Sequence, residues 1–119
     1  MKTENIKFKA KELGTGKWKE GFLQRDMDYN LCILIAKKEE HSWYWTQIDP
    51  STVCMFTGLK DKNGTPIYEG YIVMHKDNNA ERRGDINWDS KAAAFCFGQD
   101  FLVHYHSEDM VVVGNKFDK

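Results

Sequence analysis

The amino-acid sequence predicts a mainly β protein folded as a small barrel or roll. Three observations predict it. No segment keeps a helical period of apolar residues over ten positions. Short apolar or alternating segments of strand length recur at regular spacing along the 119 residues. Gly, Asn, Asp and Pro provide turn signals between them.

Taken in order, Ile6, Phe8 and Ala10 alternate with Lys7, Lys9 and Lys11, the period-two pattern of a half-buried strand with one charged face. Gly14 and Gly16 suit a turn into "KWKEGFLQ", where Trp18 and Phe22 are the apolar anchors. "NLCILIAKK" is a continuous apolar run and "SWYWTQI" is aromatic and β-branched, so both favour strands. The polar "EEH" between them makes the pair a hairpin. Asp49-Pro50 interrupts the pattern, because Pro fixes φ and lacks a donor; "DPST" is a turn or a single helical turn capped by Asp49. "VCMF" opens a second group of strands: "YIVMHK", a turn at "DNN", then "RGDINWD", "AAAFCFG", "FLVHYH" and "MVVVGNKF". The chain has no repeat, low-complexity tract or long linker.

The bulk numbers bound the function. A chain of this length can bury roughly two-thirds of its unfolded surface, so a core forms without staples. Seventeen Lys and Arg against eighteen Asp and Glu give a net charge of −1, which argues against a general nucleic-acid binder. Cys32, Cys54 and Cys96 are odd in number, lack a CxxC spacing and sit among apolar neighbours, as reduced, buried cysteines do. No apolar run approaches the roughly 18 residues that span a membrane. The first residues lack the apolar core of a signal peptide, so a soluble cytoplasmic protein is the expectation.

The most ordered stretch is "FTGLKDKNGTPIYEGYIV", residues 56–73. Asn63-Gly64 can take positive φ at both positions, as the favoured two-residue hairpin turn requires. Asp61 can accept hydrogen bonds from the turn's N–H groups. Pro66 limits ladder bonding, so "TPIY" belongs at an edge or a bend. Gly70 permits a tight approach to Ile72-Val73. All of this is structural and needs no ligand.

The same stretch resembles the signature of the YopX family, small proteins encoded by phages and prophages. Thr57, Gly58, Leu59, Asp61, Asn63, Gly64, Ile67, Tyr68, Glu69, Gly70, Ile72 and Val73 match a T-G-L-x-D-x-N-G segment followed by I-Y-E-G-D-I-V. Tyr71 stands where that pattern has Asp, which puts any binding role of the Asp in doubt here. "IKFKAKELGTGKWKEGFL", "IDPSTVCMFTGL", "RGDINWD" and "VVVGNKF" resemble further family elements, so the likeness covers nearly the whole chain. The resemblance implies an SH3-like roll at residues 56–119 with an N-terminal β region, 1–55, packed on it, or one compact domain of both. It carries over no catalytic residue and implies a phage or prophage protein of the bacterial cytoplasm.

Catalytic patterns are missing. There is no G-x-S-x-G, phosphate loop or H-E-x-x-H, so no enzyme and no cofactor are expected. His104 and His106, two apart on an expected strand, would share a face and with His75, Asp100 or Asp109 could hold a divalent metal. Solvent-facing histidines without a third ligand are commoner, and no metal is expected. Cys96 lies in "AFCFG", where apolar surroundings raise a thiol pKa.

Two binding functions remain. Arg82 and Arg83 near Trp88, with six Lys against two Glu in the first nineteen residues, could hold single-stranded nucleic acid by phosphate pairing and stacking. Trp43, Tyr44 and Trp45 are consecutive, so strand alternation sends rings to both faces, and large exposed aromatics mark contacts. A protein-interaction or self-associating module is the preferred expectation, and a nucleic-acid-binding small barrel the alternative.

Overall fold

The computed structural model describes residues 5–37, 42–78 and 80–118. The protein is mainly β, its strands pairing antiparallel throughout the described residues. Contacts gather into two compact units, one ending at Met55 and the other beginning at Phe56.

The first unit holds β1 (Phe8–Lys11), β2 (Trp18–Arg25), β3 (Leu31–Lys37), β4 (Ser42–Gln47) and the start of β5 (Cys54–Lys60). They lie side by side in the order β4-β3-β2-β1-β5. β1 is therefore an interior strand, Phe8 facing both Gly21 and Met55, and its lysines do not guard an edge. Lys7 instead pairs with Glu20 at 3.5 Å, and Lys11 Nζ lies over the Trp18 ring. Gly21 is required where β2 meets β3, because a Cβ there would stand 2.0 Å from the Leu34 carbonyl oxygen. Ala10, Ile33 and Ile48 form the core, with Phe8, Leu23 and Ile35 packed against it. Asp49 caps a 3-10 turn at Pro50–Thr52, its carboxylate accepting from the Ser51 N–H at 3.0 Å. The "EEH" connection lies outside the described residues.

The second unit continues β5 and adds β6 (Pro66–Tyr68), β7 (Tyr71–Lys76), β8 (Glu81–Asp89), β9 (Ala94–Phe97), β10 (Asp100–Phe101) and β11 (Met110–Asn115). Five of these run β10-β9-β8-β7-β11, and β5 forms a hairpin with β6. The described strands close no barrel, and their arrangement is compatible with an SH3-like roll. Ile67, Val73, Ile86, Phe97, Leu102 and Met110 make the core. Pro66 begins the short strand β6, which pairs with β5 alone. The turn at 77–80 closes with Asp77 N–H on the Ala80 carbonyl; Asn79 is outside the described residues.

Three expectations need correction. "FLVHYH" is not a strand: after Asp100–Phe101 the chain makes a 3-10 turn at Leu102–His104 and another at Ser107–Asp109. Its alternation reflects Leu102 turning into the core, not a pleat. Phe22 is no anchor, since it points from β2 to solvent. Finally, Asn63 does not take positive φ; Gly64 does, at 82°. The hairpin is longer than two residues, closing with Asp61 N–H on the Thr65 carbonyl and Gly64 N–H on the Asp61 carbonyl. The Asp61 carboxylate, accepting from the N–H groups of Asn63 and Thr65, sets the turn that an Asn-Gly pair alone would have set differently.

Candidate interaction surfaces

On the first sheet, pairing register converts scattered rings into one row. Phe22 on β2 faces Leu34 on β3, and Leu34 faces Trp45 on β4. Cross-strand partners share a face, so these three side chains stand in line, and Trp43 stands two residues along β4 from Trp45 on the same face. Phe22 is 52% exposed, Trp45 48% and Trp43 66%. The opposite face carries Leu23, Ile33 and Ile35 into the core, with Tyr44 half-buried beside them. The three consecutive aromatics of β4 thus divide as alternation requires: one ring in, two indoles out.

The hairpin bearing the row is held by Asp26. The β2–β3 connection closes with Asp26 N–H on the Asn30 carbonyl and Tyr29 N–H on the Asp26 carbonyl. The Asp26 carboxylate accepts from the N–H groups of Asp28 and Asn30, both at 2.9 Å, and from Gln47 Nε2 at 3.1 Å. The Gln47 hydrogen bond, followed by that of the Asn30 backbone, holds its carboxyl below the usual aspartate range. Gln47 ends β4, so this carboxylate ties the far strand of the row to the β2–β3 turn.

On the second unit, Arg82 and Arg83 are neighbours on β8 and so point to opposite faces. Arg82 is engaged within the unit. Its Nη1 lies 2.9 Å from Asp100 Oδ2 and donates to the Tyr105 hydroxyl at 2.6 Å, while that hydroxyl donates to Asp100 at 2.6 Å. Those bonds, Tyr105's first and Arg82's second, hold the Asp100 carboxyl low, and the same bond pushes the Tyr105 hydroxyl up. Trp88 pairs instead with Phe95, ring centroids 5.0 Å apart. Arg82's ring partner is Tyr105, not Trp88. Arg83 is exposed and borders a groove with Ile72, Val113 and Lys116.

The histidines do not converge. His75 is buried on β7 with its ring edge-on to Tyr105, at 5.1 Å between centroids. His104 ends one 3-10 turn beside the Phe101 ring, and His106 precedes the next, 3.6 Å from Glu108. Among the described residues, no three His, Cys, Asp or Glu side chains group as a metal site. All three cysteines are buried, and burial pushes the Cys32 and Cys96 thiols up. A separate groove of about 430 Å³ is lined by Leu59, Phe95, Phe101, Val103, Tyr105 and Glu108.

The residues of the 56–73 stretch have structural tasks. The Thr57 hydroxyl donates to the Ile67 carbonyl at 2.7 Å and accepts from the Leu59 N–H, bridging a bulge at which Gly58 holds φ 86°. Asp61 reaches further than its own turn, its second carboxylate oxygen accepting the Val112 N–H of β11 at 2.9 Å. Ile67, Tyr68 and Val73 are buried. Gly70, at φ 88°, donates to the Ile86 carbonyl and accepts from the Lys116 N–H. Tyr71 packs its ring on Tyr68, at 5.6 Å between centroids, so an aromatic contact occupies the place of the signature's Asp.

Sequence reasoning missed Phe22 and Leu34 as members of the row, and Asp100 and Tyr105 as partners of Arg82. The first pair was findable: a hairpin register for "NLCILIAKK" and "SWYWTQI" places Leu34 beside Trp45. The second was not, because Asp100 and Tyr105 come together across the 3-10 turn at Leu102–His104, which gives no periodic signal. Among the described residues, no helix is long and apolar enough to cross a membrane. No curated protein and no solved structure matches the chain. The family model described as YopX protein matches residues 7–119, nearly its whole length, and the chain belongs to the YopX family.

Proposed function

We propose that this chain is a non-enzymatic interaction or self-assembly module, an accessory protein of a phage or prophage acting in the host cytoplasm. One observation carries the reading: Phe22, Leu34, Trp45 and Trp43 share a sheet face on which the three aromatic rings are open to solvent. A contiguous apolar patch of this kind marks a contact surface, and Trp is the residue most enriched among contacts that carry binding energy. The Arg82–Asp100 ion pair favours this reading over single-strand binding, since a guanidinium already matched by a carboxylate has less attraction left for phosphate.

The test is association measured at two salt concentrations, beside a single-strand titration under the same conditions. Apolar contact changes little with salt, so self-association or partner binding that is insensitive to salt and lost in Trp43→Ser/Trp45→Ser is the expected result. Tight single-strand binding that weakens steeply with salt and disappears in Arg82→Ala/Arg83→Ala would replace the reading with nucleic-acid recognition.

A further inference from the structure

Resting on the interaction reading, we propose that the occupant of this surface is a second copy of the chain, paired antiparallel along β4 about a two-fold axis through Tyr44. The argument begins with backbone direction. Ile48 N–H donates to the Leu31 carbonyl, which makes Ile48 and Leu31 a hydrogen-bonded pair in the β3–β4 register. Hydrogen-bonded and non-hydrogen-bonded pairs alternate along an antiparallel ladder. The N–H and C=O groups of Tyr44 and Thr46 therefore face β3, and those of Trp43, Trp45 and Gln47 face outward. The outward carbonyl of Gln47 is indeed taken from the other side, by the Leu13 N–H at 3.0 Å. Among the described residues, no strand lies against the outward groups of Trp43 and Trp45, two donors and two acceptors at the end of the sheet.

The other sheet edges are guarded. β6 is three residues long and begins with Pro66, and β10 has two residues. β11 has a bulge between Val112 and Gly114, and along it Lys62 donates to the Met110 carbonyl while Asp61 accepts the Val112 N–H. Short length, proline, bulges and charged residues are the usual means of keeping an edge from pairing. β4, "SWYWTQ", has six residues, no proline and no charge.

Lack of charge favours a second copy in particular. A two-fold axis sets each group near its own duplicate, so a charged strand would meet like charge, whereas this one meets none. With the axis at Tyr44, Trp43 of one copy faces Trp45 of the other, and both such pairs are hydrogen-bonded. The four indoles then stand together on one face, continuing the Phe22–Leu34–Trp45 row across the junction.

The experiment is light scattering of the full chain over a concentration series, with a crosslinking variant. Tyr44 would oppose its own copy in a non-hydrogen-bonded pair, with Cα atoms about 4.5 Å apart, inside the disulfide range of about 4.4–6.8 Å. Tyr44→Cys is expected to give a disulfide-linked dimer under mild oxidation, and Thr46→Cys, whose dyad partner is Ser42, is not. Trp43→Lys/Trp45→Lys is expected to be monomeric, and Trp43→Glu/Trp45→Lys, which sets opposite charges across the axis, to recover the dimer. A wild-type chain that stays monomeric at the highest concentration, or a dimer indifferent to these substitutions, overturns the proposal. The broader reading fails by a different measurement, a fall in melting temperature on removing the indoles at a dilution where the wild type is monomeric, because the row would then be structural.

Discussion

In the second unit, Phe97 stands edge-on to Tyr105 at 4.9 Å and packs among Val73, Ile86, Leu102 and Met110, all buried. In the first, Trp43 and Trp45 project from β4 into solvent. Both units are antiparallel sheets supplied with large rings and both leave some partly exposed, Trp88 and Phe101 in the second, but the second unit covers Phe97 while the first leaves both indoles of β4 open. The cover in the second unit is local chain: the 3-10 turn at Leu102–His104 inserts Leu102 into the core, and Tyr105, immediately after it, packs on Phe97 and His75. Aromatic content alone therefore does not separate rings that hold a fold from rings that meet a partner. The deciding factor is whether the next segment of chain folds back over the ring.

The two units also share a turn, which serves as an internal control. "DMDYN" (26–30) and "DKNGT" (61–65) close with the same pattern: first N–H to last carbonyl, fourth N–H to first carbonyl, and the Asp carboxylate accepting from the third and fifth N–H groups. The fourth residue holds positive φ in each, Tyr29 at 66° and Gly64 at 82°. Asp61 differs in being buried and in taking its third bond from the backbone N–H of Val112, where Asp26 takes its third from the Gln47 side chain.

The largest contrast is expected in the cores and rings. Phe97→Ala should destabilise by about 3–5 kcal/mol, as full truncation of a buried ring does, read as a large drop in denaturation midpoint. Equal loss on removing an exposed indole would erase the difference between the units.

Next comes the Asp pair. Asp61→Ala leaves three backbone N–H groups, those of Asn63, Thr65 and Val112, without their acceptor, and is expected to cost about 2–3 kcal/mol. Asp26→Ala, in a more exposed turn where water can replace the carboxylate, should cost only about 1 kcal/mol. Chemical denaturation of both variants checks the ranking, and equal costs would mean that burial and the Val112 bond add no more at Asp61 than the Gln47 bond adds at Asp26. Acid sharpens the same point. Burial pushes the Asp61 carboxyl up, but the N–H donors of Val112, Thr65 and Asn63 together outweigh it, so it titrates below the ordinary aspartate value. A depressed folded pKa stabilises above the unfolded value, about 3.9, and that stability is lost as pH falls from there through the folded pKa. The wild type should therefore lose stability below about pH 4 more steeply than Asp61→Ala.

How much of this was legible in the chain depends on which forces are local. Alternation and turn residues exposed the strands, the Asp49 cap and the positive φ at Gly64, because each depends on a few neighbouring residues. The "FLVHYH" segment misled, since a 3-10 turn followed by an inward Leu imitates a short alternating strand. The Asp61–Val112 bond spans 51 positions and left no trace in sequence. The row on β2–β4 lies between these extremes: consecutive aromatics mark Trp43 and Trp45, but Phe22 reads as an apolar anchor because hydrophobicity does not reveal which face of a strand is covered.

A smaller effect separates the twin turns further. Gly64→Val should cost on the order of 1 kcal/mol or more, since a β-branched residue is strained at positive φ. Tyr29→Gly should cost nothing, because Tyr29 already bears that strain. Thermal melting of the two variants decides it, and a loss in both would indicate that the Tyr29 side chain, not its backbone, secures the first turn.

The smallest expected change in stability bears on the main distinction, that the open row serves contact and not folding. Phe22→Ser, Trp43→Ser and Trp45→Ser together should leave the midpoint of the dilute chain within about 0.5 kcal/mol of wild type, as exposed substitutions do, while abolishing its association. The measurement is denaturation and light scattering on the same triple variant. A stable, monomeric variant is the expected result, and a variant that loses several kcal/mol or still associates would show that the row is not a contact surface.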